Sequence, residues 1–273
     1  MNLNEKKPVA LVSPVIGEFG FTVFDIQQRV RAFFRKYPDH HKVVVAHPSL
    51  HELFELADEM IEPNLPMDYL PCGRGGDFQY HNSDFYKMIH EQTLTKYDPD
   101  VYFKIEYENR FDEWNTDWEE RKFNEPPIIS DEKYLTISCR SIKRGEVKNW
   151  KPEKYDELLN RIKQKYDIPI YLVGLPKDNY CPESVIIPEA KSVKDHISLL
   201  SNSMMFFGSN TGTTHLALLC GCPVFSWGKG AHLRMVKETN PFDTKILHID
   251  KTWNPDVEEM YDRFVEFMEN EIL

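Results

Sequence analysis

The first part of the chain alternates apolar runs with helical patterns. Residues 8–14 form a short apolar run, the glycine-containing stretch 15–20 follows, and apolar positions then recur at helical spacing over 23–37. Off that apolar face lie Gln27, Gln28, Arg31 and Arg35. A second apolar run at 43–46 repeats the strand pattern, and Ser49 with Glu52 has the spacing of a helical capping box. This order predicts a parallel sheet covered by helices.

The pattern weakens in the middle of the chain. It still indicates a strand at 67–72 and a helix over 83–93. The stretch 112–131 combines many charges with the adjacent Pro126 and Pro127. We interpret this stretch as the connection between two domains.

The alternation resumes more clearly in the second half. Strands are predicted at 134–139, 168–173, 204–208 and 222–227. Helices are predicted over 152–166, 192–203 and 212–220, with a final helix from residue 254. Pro152 suits the first turn of its helix, and Ser192 suits the cap of the next. We therefore expect two α/β domains, at 1–125 and 126–273.

Length and charge narrow the function classes. The 273 residues suffice for two domains, each burying its own core. The apolar runs are too short to cross a membrane, the first residues lack a signal-peptide core, and the five cysteines have no paired metal-type spacing. We therefore expect a cytoplasmic protein. The formal net charge of -11 disfavours extended binding to nucleic acid or anionic membranes.

The residues around position 212 are typical of a binding site for a negatively charged group. A predicted strand ends in small polar residues that lead directly into an apolar helix: Asn210, Thr211, Gly212, Thr213 and Thr214, followed by His215. The first N–H groups of a helix have no acceptor within it, and together with the helix dipole they favour an anion. A capped helix without any ligand explains the same residues. His215 is interpreted as packed or phosphate-adjacent rather than metal-bound.

A basic loop is predicted to meet this helix. Arg140 and Lys148 follow the strand predicted at 134–139. Ligands of open α/β sheets bind at the carboxyl edge of the strands, so both cations can converge on the same anion. A solvated cluster of charges is the alternative interpretation.

The second half resembles a known family in the order and spacing of its motifs. The matching segments lie at 148–155, 170–174, 199–203, 209–217, 221–223 and 227–228. Over about 134–228 they are similar to the nucleotide-binding half of the ADP-heptose:lipopolysaccharide heptosyltransferases, a family of GT-B glycosyltransferases. The resemblance implies an α/β GT-B fold, in which two Rossmann-like domains face each other across a cleft. It also implies inversion at the anomeric carbon by direct displacement.

The first half supplies a candidate base. Gly17 and Glu18 stand where the family has Gly-Asp after its first strand, so the resemblance implies Glu18 as general base. On chemistry alone, a carboxylate in this loop can take the proton of an acceptor hydroxyl. A cap of the helix near Thr22 is the alternative role, and Asp25 is the reserve candidate for the base.

These inferences combine into one predicted function. The chain is expected to move a sugar from a nucleoside-diphosphate donor to an acceptor glycan or glycolipid, without a metal or another cofactor. The diphosphate is expected at Arg140, Lys148 and residues 210–215, and the nucleoside near Gly174 and Asp178. The sequence leaves three alternatives open: a phage-type enzyme that glycosylates hydroxymethylated DNA bases, a non-catalytic nucleotide-sugar-binding module, and an epimerase.

Overall fold

The computed structural model describes residues 7–15, 19–63, 84–105, 133–143, 146–190 and 192–273. The chain divides into two compact units, Met1–Glu119 and Glu120–Leu273. Glu18, the strand predicted at 67–72 and the connection predicted at 112–131 lie outside the described residues. Each unit alternates strands and helices around a parallel sheet, which confirms the predicted α/β class.

Four described strands form the sheet of the first unit. They are β1 (Val9–Val15), β2 (His41–Ala46), β3 (Glu59–Ile61) and β4 (Val101–Phe103). Their order is β3-β2-β1-β4, and every pairing is parallel. The chain builds outward from β1 to one side and then crosses to the other. The switch point, where ligands of such sheets bind, therefore lies at the carboxyl ends of β1 and β4.

The helix after β1 is longer and more deeply buried than its sequence suggests. It comprises α1 (Phe19–Phe21), a π-helical turn (Thr22–Ile26) and α2 (Gln27–Lys36). Gln27, Gln28 and Arg31 lie off the predicted apolar face, yet all three are buried. The side-chain amides of Gln27 and Gln28 donate to the carbonyls of the preceding turn at 2.9 and 2.8 Å, and Arg31 lies 2.6 Å from Glu55. These bonds allow polar groups to be buried.

Two further helical elements of the first unit are described. The helix predicted from Ser49 is instead a short 3-10 helix, Pro48–Leu53, whose cap is His47. Pro48 suits the first helical position, so the cap is His47, two residues earlier than predicted. The other helix is α3 (Asp84–Tyr97), close to its predicted position.

Five described strands form the sheet of the second unit. They are β5 (Leu135–Ser138), β6 (Ile170–Leu172), β7 (Phe206–Ser209), β8 (Val224–Gly228) and β9 (Ile246–Asp250). Their order is β6-β5-β7-β8-β9, with every pairing parallel. The first four were predicted, whereas β9 was missed. The switch point of this sheet lies between β5 and β7.

The helices of the second unit follow their predicted caps closely. They are α4 (Pro152–Tyr166), α5 (Val193–Ser201), α6 (Gly212–Leu219) and α7 (Val257–Phe267). Ser192 and Asp195 form the predicted capping box. The last helix begins later than predicted, because the carboxylate of Asp256 accepts from the N–H of Glu258 at 2.9 Å. Within the described parts of the chain, no helix is long and apolar enough to cross a membrane.

Candidate functional site

The candidate site lies at the switch point of the second sheet. The loop that carries Arg140 and Lys148 follows β5, and the turn that begins at Asn210 follows β7. Because β5 and β7 are parallel neighbours, both segments leave the sheet at the same edge. The predicted meeting of the basic loop and the helix start therefore has its structural basis in this pairing.

The turn from β7 into α6 is held by its own side chains. Thr211 caps the helix in an extended conformation, and its N–H donates to Oγ1 of Thr214 at 3.1 Å. The same hydroxyl donates to the carbonyl of Ser209 at 3.0 Å. Gly212 and Thr213 occupy the first helical positions, whose N–H groups have no acceptor within the helix. A half-buried helix start with a fixed backbone is suited to binding a phosphate group.

Asn149 closes the basic loop. Its Oδ1 accepts from Nη1 of Arg140 and, at 3.2 Å, from the N–H of Ile142. Its Nδ2 donates to the carbonyl of Ile142 at 2.9 Å. Trp150 then anchors the loop in the core, where its Nε1 donates to the carbonyl of Pro255 at 3.0 Å. Arg140 is therefore held by Asn149, which lies next to this anchor.

The segment after β6 lies against this loop and against α6. The N–H of Ser141 donates to the carbonyl of Asp178 at 2.9 Å, and Arg140 and Asn179 form an isolated antiparallel bridge. Gly174 has a φ of +105°, and a Cβ atom at this position would lie 2.9 Å from Nδ2 of Asn179 and 3.8 Å from Oγ1 of Thr213. The structure therefore brings Gly174 and Asp178 beside the predicted diphosphate-binding residues.

The side chain of Lys148 lies over the ring of Trp253. Its Nζ lies 5.0 Å from the centroid of the Trp253 ring. A Cβ atom at Gly228 would lie 2.9 Å from that ring and 3.3 Å from Cβ of Asn210. Gly228 therefore lies next to both Trp253 and Asn210, the residue that opens the turn.

A second loop at this edge is held by Asp250. Its carboxylate accepts from the N–H of Gly230 and, at 3.3 Å, from the N–H of His232. Burial alone would raise the pKa of Asp250, but the N–H groups of Gly230, His232 and Ala231 outweigh it and hold this pKa below its usual value. The loop after β8 is thereby tied to the end of β9.

Two side chains next to the edge are buried. The ring of His215 is 3% exposed, and its Nδ1 is 3.1 Å from Oγ1 of Thr239. Burial raises the pKa of the Cys139 thiol well above its usual value, so this residue is not suited to act as a thiolate nucleophile. His215 is thus integrated into the packing of α6, and its predicted contact with phosphate stays a prediction.

The two candidate bases belong to the first unit. Glu18 lies three positions beyond the end of β1 in the chain and outside the described residues. Asp25 is 2% exposed in the π-helical turn, with its carboxylate 3.7 Å from the guanidinium of Arg29. The position of Asp25 is typical of a structural ion pair within a helix.

Comparison with solved structures finds sugar-transferring enzymes that align with almost the whole chain. The family 9 glycosyltransferase of Veillonella parvula gives a TM-score of 0.60 at 9% identity, covering 100% of this chain and 92% of that one. The ADP-heptose LPS heptosyltransferase II of E. coli gives 0.64 at 11%, covering 97% and 99%. The heptosyltransferase WaaC of E. coli with ADP gives 0.57 at 9%, covering 97% and 98%. At the sequence level, no family model and no curated protein matches.

The chain has the GT-B fold. The similarity extends over both units, so the predicted pair of Rossmann-like domains and the resemblance drawn from the sequence are confirmed at the level of the fold. In this GT-B chain, sequence reasoning missed Asn149, Asn179, Trp253 and Asp250, which act on the site through loops. Asp250 ends β9 and Trp253 follows it, so predicting β9 would have placed both residues at the carboxyl edge of the sheet.

Among the described residues, no group of three or more His, Cys, Asp or Glu side chains could hold a metal ion. A further structural neighbour, the dodecameric heptosyltransferase TibC, is iron-containing and was solved with ADP-D-beta-D-heptose. It gives a TM-score of 0.51 at 12% identity, covering 89% of this chain and 63% of that one. Metal independence therefore stays a prediction for this chain.

Proposed function

We propose that the chain is an inverting glycosyltransferase that moves a sugar from a nucleoside-diphosphate donor to an acceptor hydroxyl without a divalent metal. The observation that carries the proposal is the shared edge of β5 and β7, from which the Arg140 loop and the first turn of α6 both emerge. It lies at the switch point of a Rossmann-like unit, which is where such folds bind nucleotides.

The donors at this edge match the charge that develops during sugar transfer. As the bond to the anomeric carbon breaks, negative charge accumulates on the departing diphosphate. Donors already oriented toward that charge stabilise the transition state more than the ground state. We assign this role to Arg140, Lys148 and the N–H and hydroxyl groups of residues 211–214. We assign the nucleoside to the neighbouring Gly174 and Asp178, which lie beside that loop.

We assign the general base to Glu18 in the first unit. The carboxyl end of β1 is the switch point of the first sheet, and Glu18 follows β1 by three positions. A base there would remove the proton of the acceptor hydroxyl as the oxygen attacks the anomeric carbon. Asp25 receives a structural role in this proposal, because its carboxylate lies beside the buried Arg29.

The acceptor and the cellular setting complete the proposal. The first unit, predicted as domain 1–125, would bind the acceptor. The second unit, predicted as domain 126–273, would bind the donor. Two of the structural neighbours are an ADP-heptose LPS heptosyltransferase and a heptosyltransferase bound to ADP. A glycan or glycolipid acceptor, handled in the cytoplasm, is consistent with those neighbours and with the net charge of -11.

A thermal-shift panel tests the proposal directly. Inorganic pyrophosphate, ADP, GDP, UDP, CDP and dTDP would each be added with and without EDTA. A ligand at 100 times its Kd adds about 2.7 kcal/mol of stability, so one nucleoside diphosphate should raise the Tm clearly, and EDTA should not abolish the shift. The sugar derivatives of that nucleotide would then be tested for transfer to glycan acceptors.

The panel, a DNA-binding assay and a reaction without acceptor together separate the alternatives. If no nucleoside diphosphate raises the Tm, the proposed donor site is wrong. Salt-dependent binding to duplex DNA would favour the DNA-modifying alternative. Conversion of the sugar nucleotide in the absence of any acceptor would favour an epimerase, and nucleotide binding without any reaction would favour a binding module.

A further inference from the structure

The ring of Trp253 lies against both Lys148 and the end of β8. The ammonium of Lys148 lies over the indole ring, 5.0 Å from its centroid. The ring itself lies against Gly228, the last residue of β8, and a Cβ atom there would approach ring carbons to 2.9 and 3.1 Å. The same Cβ would lie 3.3 Å from Cβ of Asn210. Lys148, Trp253 and the end of β8 therefore come together here, and Asn210 lies on the turn next to Gly228.

Gly228 makes this contact possible. Distances below 3.0 Å are shorter than real Cβ contacts, so any side chain at this position would displace the ring. The ring is half-buried, and the lysine above it is exposed. The indole thus packs against the end of β8 at Gly228, and Lys148 lies over its ring.

An aromatic partner holds a lysine without neutralising it. The ammonium sits on a flexible four-carbon stem, and fixing such a stem opposes binding through lost rotamer entropy. The face of an indole attracts the cation through its quadrupole and leaves N–H groups of the ammonium able to donate to an anion.

We propose that Trp253 is a positioning residue that orients Lys148 toward the diphosphate at the start of α6. This inference rests on the proposed function, because it requires an anion at that turn. Trp253 itself need not touch the donor. Its contribution passes through the ammonium above it and depends on the absence of a side chain at Gly228.

The test measures Kd for inorganic pyrophosphate and for the nucleoside diphosphate that gives the largest thermal shift, by calorimetry at low salt. Trp253→Leu keeps an apolar side chain but removes the ring, and should weaken binding about 5-fold. Trp253→Phe keeps a ring face and should stay within about 2-fold of the wild type. Gly228→Ala should displace the ring and reproduce the loss seen with Trp253→Leu.

A double-mutant cycle separates positioning from general packing. In a Lys148→Met background, Trp253→Leu should weaken binding by less than about 2-fold, because the cation it orients is gone. Tyr261→Leu is the matched control, since Tyr261 on α7 lies beneath Arg161 with 5.6 Å between the guanidinium carbon and the ring centroid. It should leave Kd unchanged. The Tm of each ligand-free variant shows whether the fold is intact.

The possible outcomes test the positioning role of Trp253 separately from the donor site. Unchanged binding by folded Trp253→Leu, or losses that simply add in the Lys148→Met background, would overturn the positioning role while leaving the donor site standing. Equal losses in the leucine and phenylalanine variants would also overturn it, because a ring face would then be irrelevant. If the wild-type protein binds neither pyrophosphate nor any nucleoside diphosphate, the proposed function and this inference both fail.

Discussion

Two helices follow the strands at the switch points of the two sheets, and they use polar residues in opposite ways. The helix after β1 buries an ion pair, since Asp25 and Arg29 are 2% and 1% exposed and 3.7 Å apart. α6 follows β7, has an apolar body, and begins with Thr211, Gly212 and Thr213, which are half-buried. One helix uses its polar groups for packing, whereas the other keeps backbone donors at its start.

This difference indicates how the two units divide the chemistry. A helix with a buried ion pair is fixed in place, and its interior carboxylate is already engaged with a cation. A helix with a preformed first turn is ready to bind an anion. The first unit would then contribute its reactive carboxylate from the loop before the helix, and the second unit would contribute the helix itself.

The largest expected effect tests that loop. Glu18→Gln removes the proposed base and should lower kcat by about 10²–10⁴-fold, because general base catalysis typically contributes that much. Steady-state transfer assays with a saturating donor measure it. The Kd of the nucleoside diphosphate should stay within about 2-fold of the wild type. A variant with wild-type kcat would remove Glu18 from the mechanism.

The next effect concerns the helix after that loop. Asp25→Asn removes the negative charge beside the buried Arg29 and should lower the free energy of unfolding by about 3 kcal/mol. Urea denaturation measures this change. Glu157→Gln is the matched control, because it breaks the exposed i,i+4 pair with Arg161 and should barely move the midpoint. Equal shifts in the two variants would show that burial of the Asp25 pair is unimportant.

A smaller effect is expected at Arg140, at the carboxyl edge of the sheet of the second unit. Arg140→Gln removes the guanidinium held by Asn149 and should weaken nucleoside-diphosphate binding by about 2 kcal/mol, the contribution of a hydrogen bond to a charged group. Calorimetry measures the Kd. Arg161→Gln on α4 removes an arginine of the same unit away from the edge and should bind normally. Binding unaffected by Arg140→Gln would mean that the loop cation faces solvent.

The smallest effect tests the turn itself. Thr214→Val removes the hydroxyl that joins the N–H of Thr211 to the carbonyl of Ser209, and should lower the free energy of unfolding by about 1 kcal/mol. Thr95→Val on α3 removes an exposed hydroxyl bonded within its own helix and should change stability by only about 0.2 kcal/mol. Urea denaturation of both variants would decide. An equal change in both would argue that the turn is not held by Thr214.

The local elements were predictable because their residues act on neighbours in the chain. Pro152 and Ser192 begin their helices as predicted, and the small polar run lies at the start of α6 as predicted. The prediction failed at Ser49, where Pro48 moves the cap to His47. Local patterns therefore identified the helix that anchors the proposed site.

The rest depends on contacts between distant parts of the chain. Gln28 and Arg31 look solvent-facing by spacing, yet hydrogen bonds and an ion pair allow them to be buried. Trp253 reaches Lys148 across more than a hundred residues of sequence, and it follows β9, which was missed. Periodicity reports on one element at a time, so it could not show which loops meet at a sheet edge.

The carboxylate of Asp250 has a consequence for acidity. A group whose pKa in the folded protein lies below its ordinary value of 3.8 remains ionised throughout mildly acidic solution, and its contribution to stability is lost only as the pH falls through that lowered value. The carboxylate of Asp250 therefore continues to accept from the N–H groups of Gly230 and His232 in mildly acidic solution. An acid limb of the pH–rate profile in mildly acidic solution would accordingly not be caused by loss of the Asp250 anchor that holds the loop after β8.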